Sequence, residues 1–204
     1  MSQRKLVKSQ VGELVTDVKH AVGATVGGVG VLWSVSVVNW LFLGSALNAY
    51  AIAPRTISGL SGILAAPFLH GGFGHLLSNT IMFVVLTPLM MARSRRDFWA
   101  VSLIGAVTSG LGAWVFGGAG TLHLGASGVL FAYLGFLMAR GFYERSFMSI
   151  AMSAAMVWFF GGLIWGVFPI LAGAGISWQA HMFGFLGGIF AARTVGTELQ
   201  KKNG

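Results

Sequence analysis

Residues 146–192 read SFMSIAMSAAMVWFFGGLIWGVFPILAGAGISWQAHMFGFLGGIFAA, 47 positions without an Asp, Glu, Lys or Arg. A membrane-crossing helix needs about 20 apolar residues, so this stretch is too long for one crossing and fits two joined by a turn. Residues 98–139 form a second uncharged run of 42, and between His20 and Ala92 the only charge is Arg55. Three such hairpins give six crossings, expected near residues 25–45, 72–91, 98–117, 126–143, 147–169 and 178–194. The expected fold class is all-α: a polytopic six-helix membrane domain over residues 25–195, with a cytoplasmic amino-terminal segment (1–24) and a cytoplasmic tail (196–204).

Whole-chain composition points the same way. Of 204 residues, 55% are hydrophobic and 9% charged, against about 25% charged in soluble domains, and the mean hydropathy is +0.79. These values exclude a soluble globule. With no cysteine, disulfides, thiolate metal sites and cysteine nucleophiles are excluded together. The formal charge of +8 is informative through its placement: 12 of the 13 basic residues fall at the junctions between hairpins or at the ends, namely Arg4, Lys5, Lys8, Lys19, Arg93, Arg95, Arg96, Arg140, Arg145, Arg193, Lys201 and Lys202. Cytoplasmic loops carry the excess of Lys and Arg, so both termini are expected inside. The basic excess reads as topology in a lipid bilayer and not as a nucleic-acid footprint, which would need basic residues interleaved with aromatics on one face.

Polar residues inside a membrane are functional candidates, because burying one without a partner costs several kcal/mol. The expected spans hold no carboxylate between their charged ends, and no HExxH occurs, which removes paired-aspartate proteolysis and makes a metal site improbable. What remains is His70, His75 and Asn79 at the second span, Ser127 at the fourth and His181 at the sixth. Asn79 precedes Arg93 by 14 residues, Ser127 precedes Arg140 by 13, and His181 precedes Arg193 by 12. At about 1.5 Å per residue, all three share a layer about 18 to 21 Å above the inner boundary. A hydroxyl and an imidazole at one depth are the parts of nucleophilic acyl transfer, with Ser127 as nucleophile and His181 as general base. Gly125-Ala126-Ser127-Gly128 fits a helix start whose free N–H groups point at a developing oxyanion. His75 and Asn79, spaced i and i+4, present donors on one helix face, and Phe131 lies one turn after Ser127, where it could support the imidazole. Gly184 and Gly188 continue the face of His181 and permit close helix approach. His123, in the turn before Gly125, reads as an ordinary turn residue, and the second Gly-x-Ser-Gly, at Gly59–Gly62, as an ordinary loop.

These residues together, His70-x4-His75-x3-Asn79, Gly125-x-Ser127-Gly128 and His181-x2-Gly184-x3-Gly188, resemble the rhomboid family of intramembrane serine proteases over residues 25–195. The resemblance implies a minimal six-span prokaryotic rhomboid that cleaves transmembrane protein substrates near the extracytoplasmic face, with a Ser127–His181 dyad. It implies His75 and Asn79 beside the oxyanion, Phe131 stacked on the imidazole, a structural role for His70, and no metal or organic cofactor. It assigns no oligomeric state. The aromatic-rich fifth span, with Trp158, Phe159, Phe160 and Trp165, resembles the family's lateral gate. The Trp-Arg pair that many rhomboids carry in the first outer loop is absent, with only Pro54-Arg55 in its place. The alternative implied is a catalytically silent relative that binds or escorts membrane clients; such relatives usually lack the serine or histidine, and both are present here.

Overall fold

The computed structural model describes residues 3–171 and 175–203; the side chains of residues 3–9 and 196–203 lie outside this description. The basic residues Arg4, Lys5, Lys8, Lys201 and Lys202 therefore lie outside the described side chains, as do residues 172–174 of the third outer turn. The described residues form seven α-helices: α1 (Gln3–Leu41), α2 (Ile57–Ala65), α3 (Phe73–Arg93), α4 (Arg95–Phe116), α5 (Ser127–Glu144), α6 (Phe147–Phe160) and α7 (Trp178–Asn203). No strand occurs among the described residues, only an isolated antiparallel bridge between Ile52 and His123.

Among the described residues four stretches are long and apolar enough to cross a membrane: Gln10–Leu41, Phe73–Arg93, Arg95–Phe116 and Phe147–Val167. The last is one rod built in two ways, because α6 passes at Gly161 into a 3₁₀ segment, Gly161–Val167. Two adjacent glycines there weaken the α-helical preference. The amino-terminal segment is helical: α1 runs unbroken from Gln3, and its 39 residues at 1.5 Å each reach about 58 Å, nearly twice the hydrocarbon thickness. The long first outer connection is also structured, carrying α2 between 3₁₀ turns at Ala46–Tyr50 and Ala66–Phe68. Thr56 caps α2 by accepting the Gly59 N–H at 3.0 Å.

The core is centred on α5, whose side chains from Leu130 to Leu137 are all buried. Helix α7 lies directly on it. A Cβ at Gly184 would run into the Gly128 carbonyl, one at Gly188 into the Ala132 carbonyl, and one at Gly135 into the Phe185 carbonyl, so the two backbones touch. Helix α4 approaches through Gly105 against Ala132, and α1 packs on α3, where the Trp33 indole donates to Thr80 at 3.0 Å.

The charged junctions share one end of the bundle. His20 of α1 meets Arg95 at 3.2 Å, and Arg93 pairs with Glu144 at 3.3 Å. Glu144 also pairs with Arg140 at 3.0 Å and accepts from Ser149. At the opposite end the outer connections interlock. The Arg55 N–H donates to the Trp114 carbonyl and its guanidinium to that of Val115, both at 3.0 Å, while the Trp114 indole donates to the Thr56 carbonyl at 2.8 Å. Arg55 therefore has a tryptophan beside it, supplied by α4 and not by the loop itself.

Candidate active site

Helix α5 begins at Ser127, and the chain reaches it through Gly125, whose φ of +118° is accessible to glycine and little else. Its N–H donates to the Ala66 carbonyl at 2.8 Å, and a Cβ there would lie 2.5 Å from the His75 ring and 3.4 Å from Asn79 Nδ2. Glycine thus lets the turn close while His75 and Asn79 sit against the backbone that leads to the serine. Below, Gly128 lies against Ser109 and the Gly184 turn of α7. That approach brings Ser127 Oγ to 2.9 Å from His181 Nε2.

The imidazole is held on its other side as well. Its Nδ1 lies 3.2 Å from the Gly166 carbonyl in the 3₁₀ segment after α6, and a carbonyl can only accept, so Nδ1 carries the proton. Nε2 is then left with its lone pair toward the serine hydroxyl. The Phe131 ring stacks on the imidazole with centroids 4.1 Å apart and an interplanar angle of 10°. Spacing along α5 anticipates Phe131. The Gly166 contact has no counterpart in the sequence reading, because it is made by a backbone group that every residue carries.

On α3, Asn79 is 2% exposed and its Nδ2 has no hydrogen-bond partner. Among the described residues few buried polar atoms are left in that state, and this one faces the turn before Ser127. His70 lies behind the site. It is fully buried, its ring edge meets His75 at 5.3 Å between centroids, and its Nδ1 is 3.3 Å from Ser36 Oγ. Burial, and secondarily the neighbouring His75, lowers its pKa to about 4, so the ring is neutral. Gly184 and Gly188 set the α5–α7 distance, and Ser61 of the second Gly-x-Ser-Gly sits in α2 donating to the Ser58 carbonyl.

A cavity of about 1120 Å³ opens over these groups, lined among others by His75, Asn79, Ser127, Phe131, Trp165 and His181. A hydroxyl on a neutral imidazole's acceptor nitrogen, with a spare buried amide donor alongside, is an arrangement suited to nucleophilic acyl transfer. A second serine–histidine contact, between His123 and Ser177 at 2.7 Å, lines the same cavity. The sequence pattern marks His123 as an ordinary turn residue; the signal that links it to Ser177 is that the two precede Ser127 and His181 by four residues each.

Comparison with known proteins gives a match to the family model described as Rhomboid domain, over residues 57–198. An uncharacterized protein of Mycobacterium tuberculosis is 37% identical over 171 residues, covering 80% of this chain and 70% of its own length. One of Mycobacterium leprae is 32% identical over 179 residues, covering 82% and 70%. The Bacillus subtilis protein named "Putative rhomboid protease YdcA" is 23% identical over 161 residues, covering 73% of this chain and 78% of its own length.

Proposed function

The chain belongs to the rhomboid family and is an integral membrane protein, and from that premise we propose that it is an intramembrane serine protease hydrolysing peptide bonds of transmembrane protein substrates. Ser127 is the nucleophile. His181 Nε2 takes the hydroxyl proton as Oγ attacks the scissile carbonyl, and the same nitrogen returns it to the leaving amine; water then hydrolyses the acyl-enzyme by the reverse proton path. Asn79 Nδ2 and His75 stabilise the tetrahedral oxyanion. Gly166 and Phe131 do the orienting that a carboxylate performs in soluble triads. Six helices cross the bilayer, α1 and α3 to α7, with both termini cytoplasmic and the cavity opening to the extracytoplasmic side. The rod of residues 147–167, whose Trp158, Phe159 and Trp165 are 84%, 74% and 59% exposed, is the lateral gate through which a substrate helix enters.

The observation that carries this reading is the 2.9 Å contact between Ser127 Oγ and the acceptor nitrogen of an imidazole fixed on its other two sides. The test is labelling of the detergent-solubilised protein by a serine-reactive fluorophosphonate, with cleavage of a model transmembrane substrate measured in parallel. Wild type labels and cleaves; Ser127→Ala and His181→Ala do neither while keeping the wild-type melting temperature. Undiminished cleavage by Ser127→Ala would refute the assignment.

A further inference from the structure

Four residues before Ser127, and four before His181, stand His123 and Ser177. Each member of the upper pair thus lies one helical turn's worth of chain from a member of the lower one, with serine and histidine exchanged. His123 Nδ1 is 2.7 Å from Ser177 Oγ, and Nε2 is 2.9 Å from Thr121 Oγ1. The direction of each bond follows from counting protons. Thr121 donates its only hydroxyl proton to the Gly118 carbonyl at 2.7 Å, so its oxygen must accept from His123 Nε2–H. Nδ1 is then the acceptor and takes the Ser177 hydroxyl proton, while Ser177 Oγ accepts the Ala180 N–H at 3.4 Å. Every donor and acceptor of the His123 ring is used once, as a chain running in a single direction, an arrangement in which neighbouring bonds strengthen one another.

Both ends of this chain are tied to fixed points. The His123 backbone exchanges two hydrogen bonds with Ile52, at 2.9 and 3.0 Å, and two residues on Gly125 is held by the Ala66 carbonyl. The ring is 9% exposed and fills the space beside Gly117, where a Cβ would lie 2.5 Å from Nε2. Ser177, for its part, accepts the His181 N–H on its carbonyl at 3.1 Å. The first outer connection, the segment leading to Ser127 and the first turn of α7 are thereby joined through one side chain.

We propose that His123 and Ser177 form a brace that sets the separation of Ser127 and His181, making both positioning residues for the reaction. This rests on the reading of Ser127 and His181 as the catalytic pair. Without the brace the hydrogen bond that joins Ser177, just ahead of α7, to the segment leading to Ser127 is lost, the packing of α7 on α5 and the Gly166 and Phe131 contacts remain, and His181 samples positions out of line with Oγ. Misplacement on the ångström scale costs about ten- to a hundredfold in rate.

The test uses the full chain in detergent or proteoliposomes. His123→Leu and Ser177→Ala each lower kcat about ten- to a hundredfold with KM within about twofold, and slow fluorophosphonate labelling of Ser127 in the same proportion. The double variant is no slower than the slower single one, because both remove one bond. His123→Asn, whose Oδ1 can occupy the place of Nδ1 and accept from Ser177, restores most of the rate, whereas His123→Gln, which reaches the Thr121 side, does not. Independently of activity, ¹⁵N spectra of the Ser127→Ala protein show His123 as the Nε2–H tautomer, and Ser177→Ala shifts its Nδ1 resonance. Multiplicative losses in the double variant, equal rates in His123→Asn and His123→Leu, an Nδ1–H tautomer, or unchanged kcat in Ser177→Ala would each overturn the brace. Failure of wild type itself to label would instead remove the catalytic reading beneath it, leaving the tautomer result to decide the contact alone.

Discussion

Asn79 shows how a single side chain can be costly to the fold and useful to the chemistry. A buried donor without a partner costs about 1–3 kcal/mol, and Asn79 Nδ2 is such a donor, 2% exposed and aimed at the turn before Ser127. If its partner is an oxyanion present only during turnover, removing the amide relieves the resting protein and harms the transition state. Asn79→Ala is therefore expected to keep or raise the melting temperature while lowering kcat about 10²- to 10³-fold, the loss seen when an oxyanion donor is deleted. Thermal unfolding and substrate cleavage on one preparation check both halves; a lowered melting temperature with intact turnover would make Asn79 a packing residue. That Ser127, His75, Asn79, Phe131 and His181 line one cavity is legible in the sequence, because the proposed acyl transfer calls for those side-chain types and helical spacing puts His75 with Asn79 and Ser127 with Phe131 on one face. Gly166 is not, since it acts through a carbonyl, and the His123–Ser177 bond is marked only by its four-residue offset from Ser127 and His181, since the identities of its members are ordinary for turns.

Between elements, the decisive feature is that α5 and α7 meet backbone to backbone. Where a helix pair lacks a hydrophobic drive, as in lipid, close approach through small residues supplies the packing, and here it also sets how far apart the serine and histidine helices stand. Gly188→Ala places a methyl against the Ala132 carbonyl and must push the helices apart, so it lowers the melting temperature and slows Ser127 labelling together. Gly30→Ala, on α1 where an added Cβ meets nothing within 4 Å, leaves both unchanged. Equal behaviour of the two variants, measured by differential scanning fluorimetry and probe labelling, would mean the α7 stripe does not control the dyad. The spacing of Gly184 and Gly188 makes this interface readable in advance. The change of α6 into a 3₁₀ segment is less so: Gly161-Gly162 marks the place, but hydrophobicity is continuous through it, and that continuity extends one expected span from 147 to 169.

Across the whole molecule, charge placement and helix length are what the proposed seating in the bilayer is argued from. By length and composition four stretches among the described residues qualify as spans; α5, which carries Arg140 and Glu144, and α7 are not among them. Those charges do not argue against crossing. Arg140 pairs with Glu144 and Glu144 with Arg93, at the bundle end where His20 meets Arg95, so one carboxylate is shared by two guanidiniums at the end where the charged junctions gather. The 18 residues of α5 reach about 27 Å, close to the hydrocarbon thickness of about 30 Å. A chain with no cysteine allows a direct test by single substitutions. With both termini inside and six crossings, a membrane-impermeant maleimide applied to intact cells labels Tyr50→Cys, Ala119→Cys and Ile170→Cys, whereas Asp17→Cys, Arg96→Cys, Phe147→Cys and Asn203→Cys react only after permeabilisation. Each neighbouring pair brackets one helix: 96 and 119 bracket α4, 119 and 147 bracket α5, 147 and 170 bracket α6, and 170 and 203 bracket α7. Labelling of 119 and 147 from the same side would remove α5 from the crossings, and with it the depth that puts Ser127 beneath the outer face.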